Sequence, residues 1–320
     1  MGEFECECGR DLRTKMGLAV HKHYCPLNQC GTGGGVVFQE PSTEQGKTQE
    51  KVTVEQFIPF DKNDTLKDLI PSHAKRYIPQ TIVGGTTDVE IIKKAIEYRK
   101  NVLLIGETGT GKTHCSRSIA VEFGIPYMRV NLNGGTTVED LVGQWIPHNG
   151  GWEWSDGVLT KMLRYGGLFV CDELNAANAE ILFILHSILD DERKVVLVQK
   201  DGEVVQAHKD FVFIATMNPS TYEGTKPLNL ALFDRFDVIL EFKDIAKGLI
   251  KDSVLMDVYR KVQTALKDGN VQGVLSPRGI LQFQQNRELF GSDVAKMIML
   301  KKFEGVGREA VEHILEVIGL

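Results

Sequence analysis

The sequence lacks the features that would direct a protein into or across a membrane. Its apolar runs, such as Val102–Ile105 and Leu168–Cys171, are far too short to span a bilayer. The first residues also lack the apolar stretch of a signal peptide. We therefore expect a cytoplasmic protein with no membrane partner.

Positive charge is also scarce. The 320 residues include 37 Lys and Arg against 43 Asp and Glu, which gives a net charge of −6 at pH 7. Proteins that grip nucleic-acid backbones are usually basic, because each phosphate they contact is negatively charged. The overall charge therefore gives no support to nucleic-acid binding.

Cysteines are few, and most lie at one end of the chain. Four of the six are Cys6, Cys8, Cys25 and Cys30. The other two, Cys115 and Cys171, lie in apolar stretches. We predict that these two are buried free thiols that pack like small hydrophobic side chains.

Composition divides the chain into four predicted segments. Residues 1–30 are rich in Cys and His, and residues 31–56 form a polar, Gly-containing linker that cannot bury a core. Residues 57–243 alternate apolar strands with helical patterns, which predicts an α/β core with a parallel sheet covered on both faces. Residues 244–320 show helical patterns only, and predict an all-α lid.

The element boundaries follow from apolar spacing. Strands are predicted at 101–105, 127–132, 168–171 and 211–216, and helices at 113–123, 176–189, 246–267, 277–290, 293–303 and 307–318.

Residues 106–113 follow the phosphate-binding pattern G-x-x-x-x-G-K-[ST] between a strand and a helix. Glycines allow backbone N–H groups to converge on phosphate oxygens, and the helix N-terminus adds a favourable dipole. We expect Lys112 to reach the β- and γ-phosphates and the Thr113 hydroxyl to bind Mg²⁺. The predicted nucleotide-binding residues are Gly106, Glu107, Thr108, Gly109, Thr110, Gly111, Lys112, Thr113 and Asp172.

Two further strands end in polar residues that fit the same site. Asp172 and Glu173 follow the strand at 168–171, at the sheet edge where ligands bind in open α/β folds. We predict that Asp172 holds Mg²⁺ and that Glu173 activates the attacking water. Asn218 follows the strand at 211–216 and is predicted to orient that water.

These motifs resemble those of the MoxR-like AAA+ ATPases. The resemblance covers residues 78–290 and rests on the phosphate loop, Asp-Glu-Leu-Asn at 172–175, Ala-Thr-Met-Asn-Pro at 215–219 and Leu-Asn-Leu-Ala-Leu-Phe-Asp-Arg-Phe at 228–236. The branch it most resembles is the small ATPase subunit of aerobic cobaltochelatase. Dynein-type, midasin-type and McrB-type ATPases are more distant. The resemblance implies ATP, Mg²⁺ and a ring of identical subunits, with a hexamer expected.

The resemblance also implies residue roles. Asn218 matches sensor 1, Arg278 matches sensor 2, and Arg235 matches the arginine finger that enters the neighbouring subunit's site. The alternative for Arg235 is a surface ion pair with Asp234 or Asp237.

The same family carries two hairpins. Residues 143–157 contain all three tryptophans (Trp145, Trp152 and Trp154) around a tight-turn sequence, and a second hairpin is expected from 195–199 and 203–207. The tryptophans either touch a substrate in the ring's pore or pack across the strands, and packing is favoured for at least one of them.

The first segment resembles a ββα zinc finger of the C2HC type. Twelve residues separate the second cysteine from the histidine and three separate that histidine from the next cysteine, but only one residue lies between the first two cysteines. Cys30 or His23 could therefore substitute for a ligand. The predicted Zn²⁺ ligands are Cys6, Cys8, His21 and Cys25.

A finger of this composition is poorly suited to base recognition. Its base-facing positions would be Thr14, Gly17 and Val20, and the segment has four basic and four acidic residues. Docking to a protein is therefore preferred to nucleic-acid binding.

The sequence thus predicts an oligomeric, Mg²⁺-dependent AAA+ ATPase that remodels a protein client, with an unidentified protein client or adaptor as its partner. A nucleic-acid-stimulated motor directed by the finger is the alternative. A scaffold that uses nucleotide only as a switch is disfavoured, because Glu173 and Arg235 are both present.

Overall fold

The computed structural model describes residues 66–74, 77–219, 228–242, 245–246, 248–250 and 252–319. The predicted zinc finger and the predicted linker lie outside these residues. No helix among the described residues has both the length and the apolarity needed to cross a membrane.

The strands are β1 (Thr81–Val83), β2 (Thr86–Thr87), β3 (Val102–Gly106), β4 (Tyr127–Asn131), β5 (Gly143–His148), β6 (Gly151–Asp156), β7 (Gly167–Asp172), β8 (Lys194–Leu197), β9 (Glu203–Gln206), β10 (Phe211–Met217) and β11 (Val238–Phe242). The α-helices are α1 (Asp88–Glu97), α2 (Lys112–Phe123), α3 (Val138–Val142), α4 (Val158–Tyr165), α5 (Ala179–Leu189), α6 (Leu230–Phe233), α7 (Ser253–Lys267), α8 (Pro277–Phe290), α9 (Ser292–Leu300) and α10 (Gly305–Val317).

The central sheet has five parallel strands in the order β11-β3-β10-β7-β4. Every residue of β7 and β10 is buried, which suits their nearly continuous apolar sequences. Successive side chains of a strand point to opposite faces. Leu103, Phe169 and Phe213 accordingly belong to one core, and Leu104, Val170 and Ile214 belong to the core on the other face. This is the predicted α/β arrangement with helices on both sides of a parallel sheet.

The helices after the sheet enclose an apolar core of their own. It includes Leu255, Phe283, Met299 and Leu315. The first of these helices was predicted from residue 246, and that boundary was wrong. The helix begins at Ser253, because the Asp252 side chain accepts hydrogen bonds from the first backbone N–H groups and caps the helix there.

The first hairpin interrupts a helical stretch, so that α3 precedes it and α4 follows it. Its strands pair in antiparallel register, with Trp145 opposite Trp154. The two rings meet edge to face with centroids 5.7 Å apart, a favourable aromatic geometry. Trp152 is 70% exposed. Trp145 and Trp154 therefore have the packing role favoured for at least one tryptophan, whereas Trp152 faces outward.

At the base of this hairpin, the segments that enter and leave it lie so close together that they form a narrow neck at Gly143 and Gly157. A Cβ atom on Gly143 would lie 2.5 Å from the backbone O of Ser155, and one on Gly157 would lie 2.3 Å from the backbone O of Leu141. Gly143 also has a φ of +127°, which L side chains rarely adopt. Glycine is thus required on both sides of the neck.

The second hairpin, β8–β9, is joined to the first by polar contacts. Arg164 on α4 donates to Asp156 of the first hairpin and to Glu203 of the second, each at 2.7 Å. The Arg164 guanidinium, with help from Lys200, lowers the pKa of Glu203 to about 2. The indole N–H of Trp145 also donates to the backbone O of Gln199 at 2.8 Å. The two hairpins therefore form one continuous structure.

Candidate functional site

The loop at 106–113 connects β3 to α2 at the carboxyl edge of the sheet. Gly109 and Gly111 have φ values of +87° and +100°, in the left-handed region that favours glycine. No side chain caps α2, whereas Thr87 and Thr137 cap α1 and α3. A helix N-terminus without a side-chain cap is suited to binding an anion.

Three neighbouring segments press against the loop where it has glycine. A Cβ atom on Gly106 would lie 2.6 Å from the backbone O of Phe242, and one on Gly109 would lie 3.0 Å from the backbone N of Arg278. A Cβ on Gly111 would meet the ring of Tyr77 at 3.2 Å. The start of α8 is thereby held against the loop, which places Arg278 beside it.

The predicted phosphate-binding lysine is buried in this loop. The Nζ atom of Lys112 donates to the backbone O of Gly106 at 2.6 Å, to the backbone O of Glu107 at 2.9 Å and to Oδ1 of Asn218 at 3.3 Å. Burial lowers the pKa of Lys112 to about 8, although Asp172 and the nearby glutamates oppose this shift. The ammonium group is thus desolvated before any nucleotide binds.

Asp172 is the centre of a network of donors at the end of β7. Asp172 is 3% exposed, and its carboxylate accepts from the hydroxyl of Thr113 at 3.0 Å and of Thr216 at 2.8 Å. The Nε atom of Arg129 on β4 also donates to it. These contacts fix the carboxylate in one orientation at the edge of the sheet.

The next residue, Glu173, is exposed and has left-handed backbone angles, with φ 58° and ψ 44°. Its backbone N–H points to the Thr216 hydroxyl at 3.4 Å. A non-glycine residue in this conformation is strained, and such strain tends to occur at functional sites. The turn directs the chain away from β7 immediately after the two carboxylates.

Asn218 lies one residue beyond β10, next to the end of β7. Its side-chain oxygen accepts from Lys112, as described above, and its backbone O accepts from the Nδ2 atom of Asn175 at 3.2 Å. The structure therefore brings together Lys112, Thr113, Asp172 and Asn218, with Arg278 beside the same loop. Arg129 and Thr216 belong to this cluster too, although neither was predicted from the sequence.

The segment before β1 forms hydrogen bonds that support the loop at 106–113. Gln80 donates from Nε2 to the backbone O of Thr110 at 2.9 Å. Asp88, which is fully buried, accepts from the Tyr77 hydroxyl and from the backbone N of Gln80 at 3.0 Å. Burial raises the pKa of the Asp88 carboxyl. These three residues were also missed, because nothing in their local sequence marks them.

Arg235 is held away from this cluster. Its Nε atom donates to Oδ1 of Asp190 at 2.6 Å and its Nη1 atom donates to the backbone O of Ala231 at 2.6 Å. Arg235 thus makes a surface ion pair, as the alternative held, but its partner is Asp190 and not Asp234 or Asp237. Asp237 instead accepts from the side chain of Lys100 at 2.9 Å.

The oxygen donors of Thr113 and Asp172 suit Mg²⁺ better than they suit a metal ion whose ligands all come from the protein. Among the described residues no group of three or more His, Cys, Asp or Glu side chains could hold a metal ion. Thr113 and Asp172 offer a hydroxyl and a carboxylate on adjacent elements. Mg²⁺ prefers such oxygen ligands and commonly completes its shell with water and phosphate oxygens.

Both thiols predicted to be buried and free are so. Cys115 and Cys171 are 0% exposed and unpaired. Burial raises the pKa of each thiol, which leaves both groups protonated and unreactive.

Comparisons with known proteins agree with this geometry. The family model "AAA domain (dynein-related subfamily)" matches residues 101–236. Midasin of Giardia intestinalis is 36% identical over 167 residues, which cover 51% of this chain and 3% of that protein. Protein CbbQ of Hydrogenophilus thermoluteolus is 33% identical over 149 residues, which cover 47% of this chain and 55% of CbbQ.

A third relative is matched over most of its length. It is an uncharacterized protein of Staphylococcus aureus (strain USA300), 31% identical over 195 residues that cover 58% of this chain and 73% of that protein. The chain thus spans about half of CbbQ and a small part of midasin. The resemblance to MoxR-like AAA+ ATPases is confirmed, and the cobaltochelatase branch stays a prediction. Residues 101–236 thus form an AAA domain that matches the dynein-related subfamily.

Proposed function

We propose that this chain is a Mg²⁺-dependent ATPase that works in a ring of identical subunits and remodels a protein client. The observation that carries the proposal is the convergence of Lys112, Thr113, Asp172 and Asn218 at one edge of the sheet. These residues come from the start of α2, the end of β7 and the residue just beyond β10. A cluster of ammonium, hydroxyl, carboxylate and amide groups suits a nucleoside triphosphate.

Binding begins with the loop at 106–113. The N-terminus of α2, which no side chain caps, takes phosphate oxygens. Lys112 exchanges its carbonyl and amide acceptors for the β- and γ-phosphates, which stabilise its charged form. Thr113 and Asp172 hold Mg²⁺, which when bound neutralises charge on the phosphate oxygens.

Hydrolysis uses the residues at the ends of β7 and β10. Glu173 takes a proton from the attacking water, and Asn218 orients that water. The water oxygen bonds to the γ-phosphorus while the bond from the γ-phosphorus to the bridging oxygen breaks, which leaves ADP and inorganic phosphate. Arg278 contributes positive charge beside the loop.

The ring completes each site. Arg235 stabilises the γ-phosphate of the neighbouring subunit, because a guanidinium is always charged and forks onto phosphate oxygens. Its own subunit holds it against Asp190, outside the Lys112 cluster. This placement supports a role in trans and explains why hydrolysis would depend on assembly.

The joined hairpins favour a polypeptide client. Residues 143–157 contain no Lys or Arg, and the two lysines of the second hairpin, Lys194 and Lys200, each pair with a glutamate. Trp152 is 70% exposed and Val198 is 81% exposed. An apolar surface without free cations suits protein segments better than phosphate backbones.

Steady-state ATPase rates of the full chain test the proposal. The rate should need Mg²⁺, rise with protein concentration as subunits assemble, and fall to background in Glu173→Gln. Single- and double-stranded DNA and RNA should leave it unchanged. Stimulation of several-fold by nucleic acid that disappears on deleting residues 1–30 would replace the protein client with the alternative, a nucleic-acid motor.

The N-terminal segment requires its own measurement. The predicted Zn²⁺ ligands Cys6, Cys8, His21 and Cys25 can be tested by zinc content of the purified protein. One equivalent of zinc per chain that is lost in Cys8→Ser would support the finger, and zinc-free protein would reject it.

A further inference from the structure

Arg235 makes three hydrogen bonds within its own subunit. Besides the Nε–Oδ1 contact with Asp190 and the Nη1 contact with the backbone O of Ala231, its Nη2 atom lies 3.4 Å from Oδ2 of Asp190. The carboxylate thus grips one edge of the guanidinium with both oxygens. Such a two-point contact fixes the plane of the guanidinium as well as its position.

The same contacts leave part of the guanidinium free. Of its five N–H groups, the contacts with Asp190 and Ala231 use one on Nε, one on Nη1 and one on Nη2. Among the contacts of the described residues, one N–H on each terminal nitrogen is left over. Those two nitrogens are the pair that forks onto phosphate oxygens.

The backbone on both sides of this ion pair is tied together as well. The buried Nδ2 atom of Asn101 donates to the backbone O of Leu189 at 3.0 Å and to the backbone O of Arg235 at 3.2 Å. Asp190 directly follows α5 and closes its end. Both partners are therefore fixed to the sheet through one amide.

Stability alone is a poor explanation for the pair. The Arg235 and Asp190 side chains are 31% and 47% exposed, and ion pairs this open to solvent contribute little to stability. Their exposure also means that a neighbouring subunit could reach the guanidinium.

We propose that Asp190 is a positioning residue for Arg235, which orients the free edge of the guanidinium toward the ATP of the neighbouring subunit. This inference rests on the proposed function of Arg235 in trans. In this role Asp190 contacts neither the nucleotide nor the attacking water. It acts through Arg235 on the turnover of the adjacent site.

Mixed rings isolate this effect. The acceptor subunit carries Arg235→Ala and keeps an intact ATP site, and the donor subunit carries Glu173→Gln and keeps an intact Arg235. Only acceptor sites that face a donor contain both Glu173 and Arg235, so the measured rate reports the donor's arginine. Asp190→Ala is then added to the donor. Because Glu173→Gln already prevents hydrolysis at the donor's own site, any change in rate must come from the acceptor sites.

The expected result is a kcat about 10- to 100-fold lower with the Asp190→Ala donor, since small misplacement of a catalytic group costs this much. The KM for ATP should stay within about twofold, because ground-state binding by the acceptor's loop is untouched. Asp190→Asn keeps one acceptor oxygen and should lie in between. Asp191→Ala, which removes the same charge from the exposed next residue, should have no effect.

Three results would contradict the roles proposed for Asp190 and Arg235. A rate with the Asp190→Ala donor that equals or exceeds that of the unmodified donor overturns the inference. Loss of assembly or of folding in both Asp190 variants, seen by gel filtration and thermal melting, also overturns it, because the pair would then be structural. If an Arg235→Ala donor works as well as the intact donor, the proposed role of Arg235 itself fails.

Discussion

The Nζ atom of Lys112 lies 3.3 Å from Oδ1 of Asn218, so the first residue of α2 touches the residue just beyond β10. The contact joins the predicted phosphate-binding group to the predicted water-orienting group before nucleotide binds. Any nucleotide that draws Lys112 toward its phosphates must share or break this hydrogen bond. The amide of Asn218 is then free to bind another group.

Replacing Asn218 should therefore affect turnover more than binding. We expect Asn218→Ala to lower kcat about 100-fold, a typical effect of removing one oriented polar group from a reaction centre. The affinity for ATP should change little, because the phosphate contacts remain. Steady-state kinetics with equilibrium nucleotide binding measure the two effects. Asn175→Ala, which removes only the contact to the backbone O of Asn218, should give a smaller loss of kcat, and an equal loss would argue against direct action by Asn218.

ATP affinity should fall as the pH rises above about 8. Burial lowers the pKa of Lys112 to about 8, so the nucleotide-free protein keeps the ammonium charge below that pH and loses it above. The dissociation constant of ATP, measured by equilibrium binding from pH 7 to 9.5, should rise by about tenfold per pH unit beyond the pKa. Lys112→Arg stays charged over this range, so any affinity it retains should be independent of pH. A flat profile for the unmodified protein would contradict the prediction.

Thr216 should matter for the metal as well as for stability. Its buried hydroxyl donates to Asp172 at 2.8 Å, so Thr216→Val leaves the carboxylate less firmly oriented. We expect the Mg²⁺ concentration for half-maximal activity to rise about tenfold and the free energy of unfolding to fall by about 1 kcal/mol.

Thr160 provides the matched control for this change. It is also buried, and its hydroxyl donates to the backbone O of Val142 at 2.7 Å, away from the carboxylate. Thr160→Val should lower stability by a similar amount without changing the Mg²⁺ dependence. The same Mg²⁺ shift in both variants would mean that global destabilisation causes it.

Arg164 should control how tightly the two hairpins hold together. Arg164→Met removes the ion pairs to Asp156 and Glu203, and we expect about 1 kcal/mol of destabilisation from this partly exposed network. The three tryptophans all lie in the first hairpin, so their quenching by acrylamide should increase. The exposed Arg260 serves as a control, since Arg260→Met should leave quenching unchanged. No change in Arg164→Met would show that the contact between Trp145 and Gln199 suffices to join the hairpins.

The parts of the site that the sequence revealed are those encoded locally. The glycine loop, the carboxylates after β7 and the asparagine after β10 each occupy a fixed place relative to one strand, so spacing alone predicted them. Arg129 and Thr216 reach Asp172 from the neighbouring strands β4 and β10, and only the strand order places them there. A charged residue within the apolar strand β4 was a usable sign, and it was overlooked.

Contacts between distant segments could not be predicted in this way. Gln80 meets Thr110 across thirty residues, and Asp190 meets Arg235 across forty-five. Asp234 and Asp237 were natural candidates because they are near Arg235 in sequence, yet Arg235 pairs with Asp190, and Asp237 pairs with Lys100. The late start of α7 has a local cause, the cap formed by Asp252, that apolar spacing does not detect.

The glycine neck at the base of the first hairpin has a practical consequence for protein engineering. Because Gly143 and Gly157 fix where the two chains leave and re-enter the domain, the residues between them form a graftable insert. A different hairpin with six-residue strands, matching Gly143–His148 and Gly151–Asp156, could be exchanged at these two points if it keeps Trp145 and Asp156, which join it to the second hairpin. The hairpin surface and the proposed ATP site could then be varied separately in one scaffold.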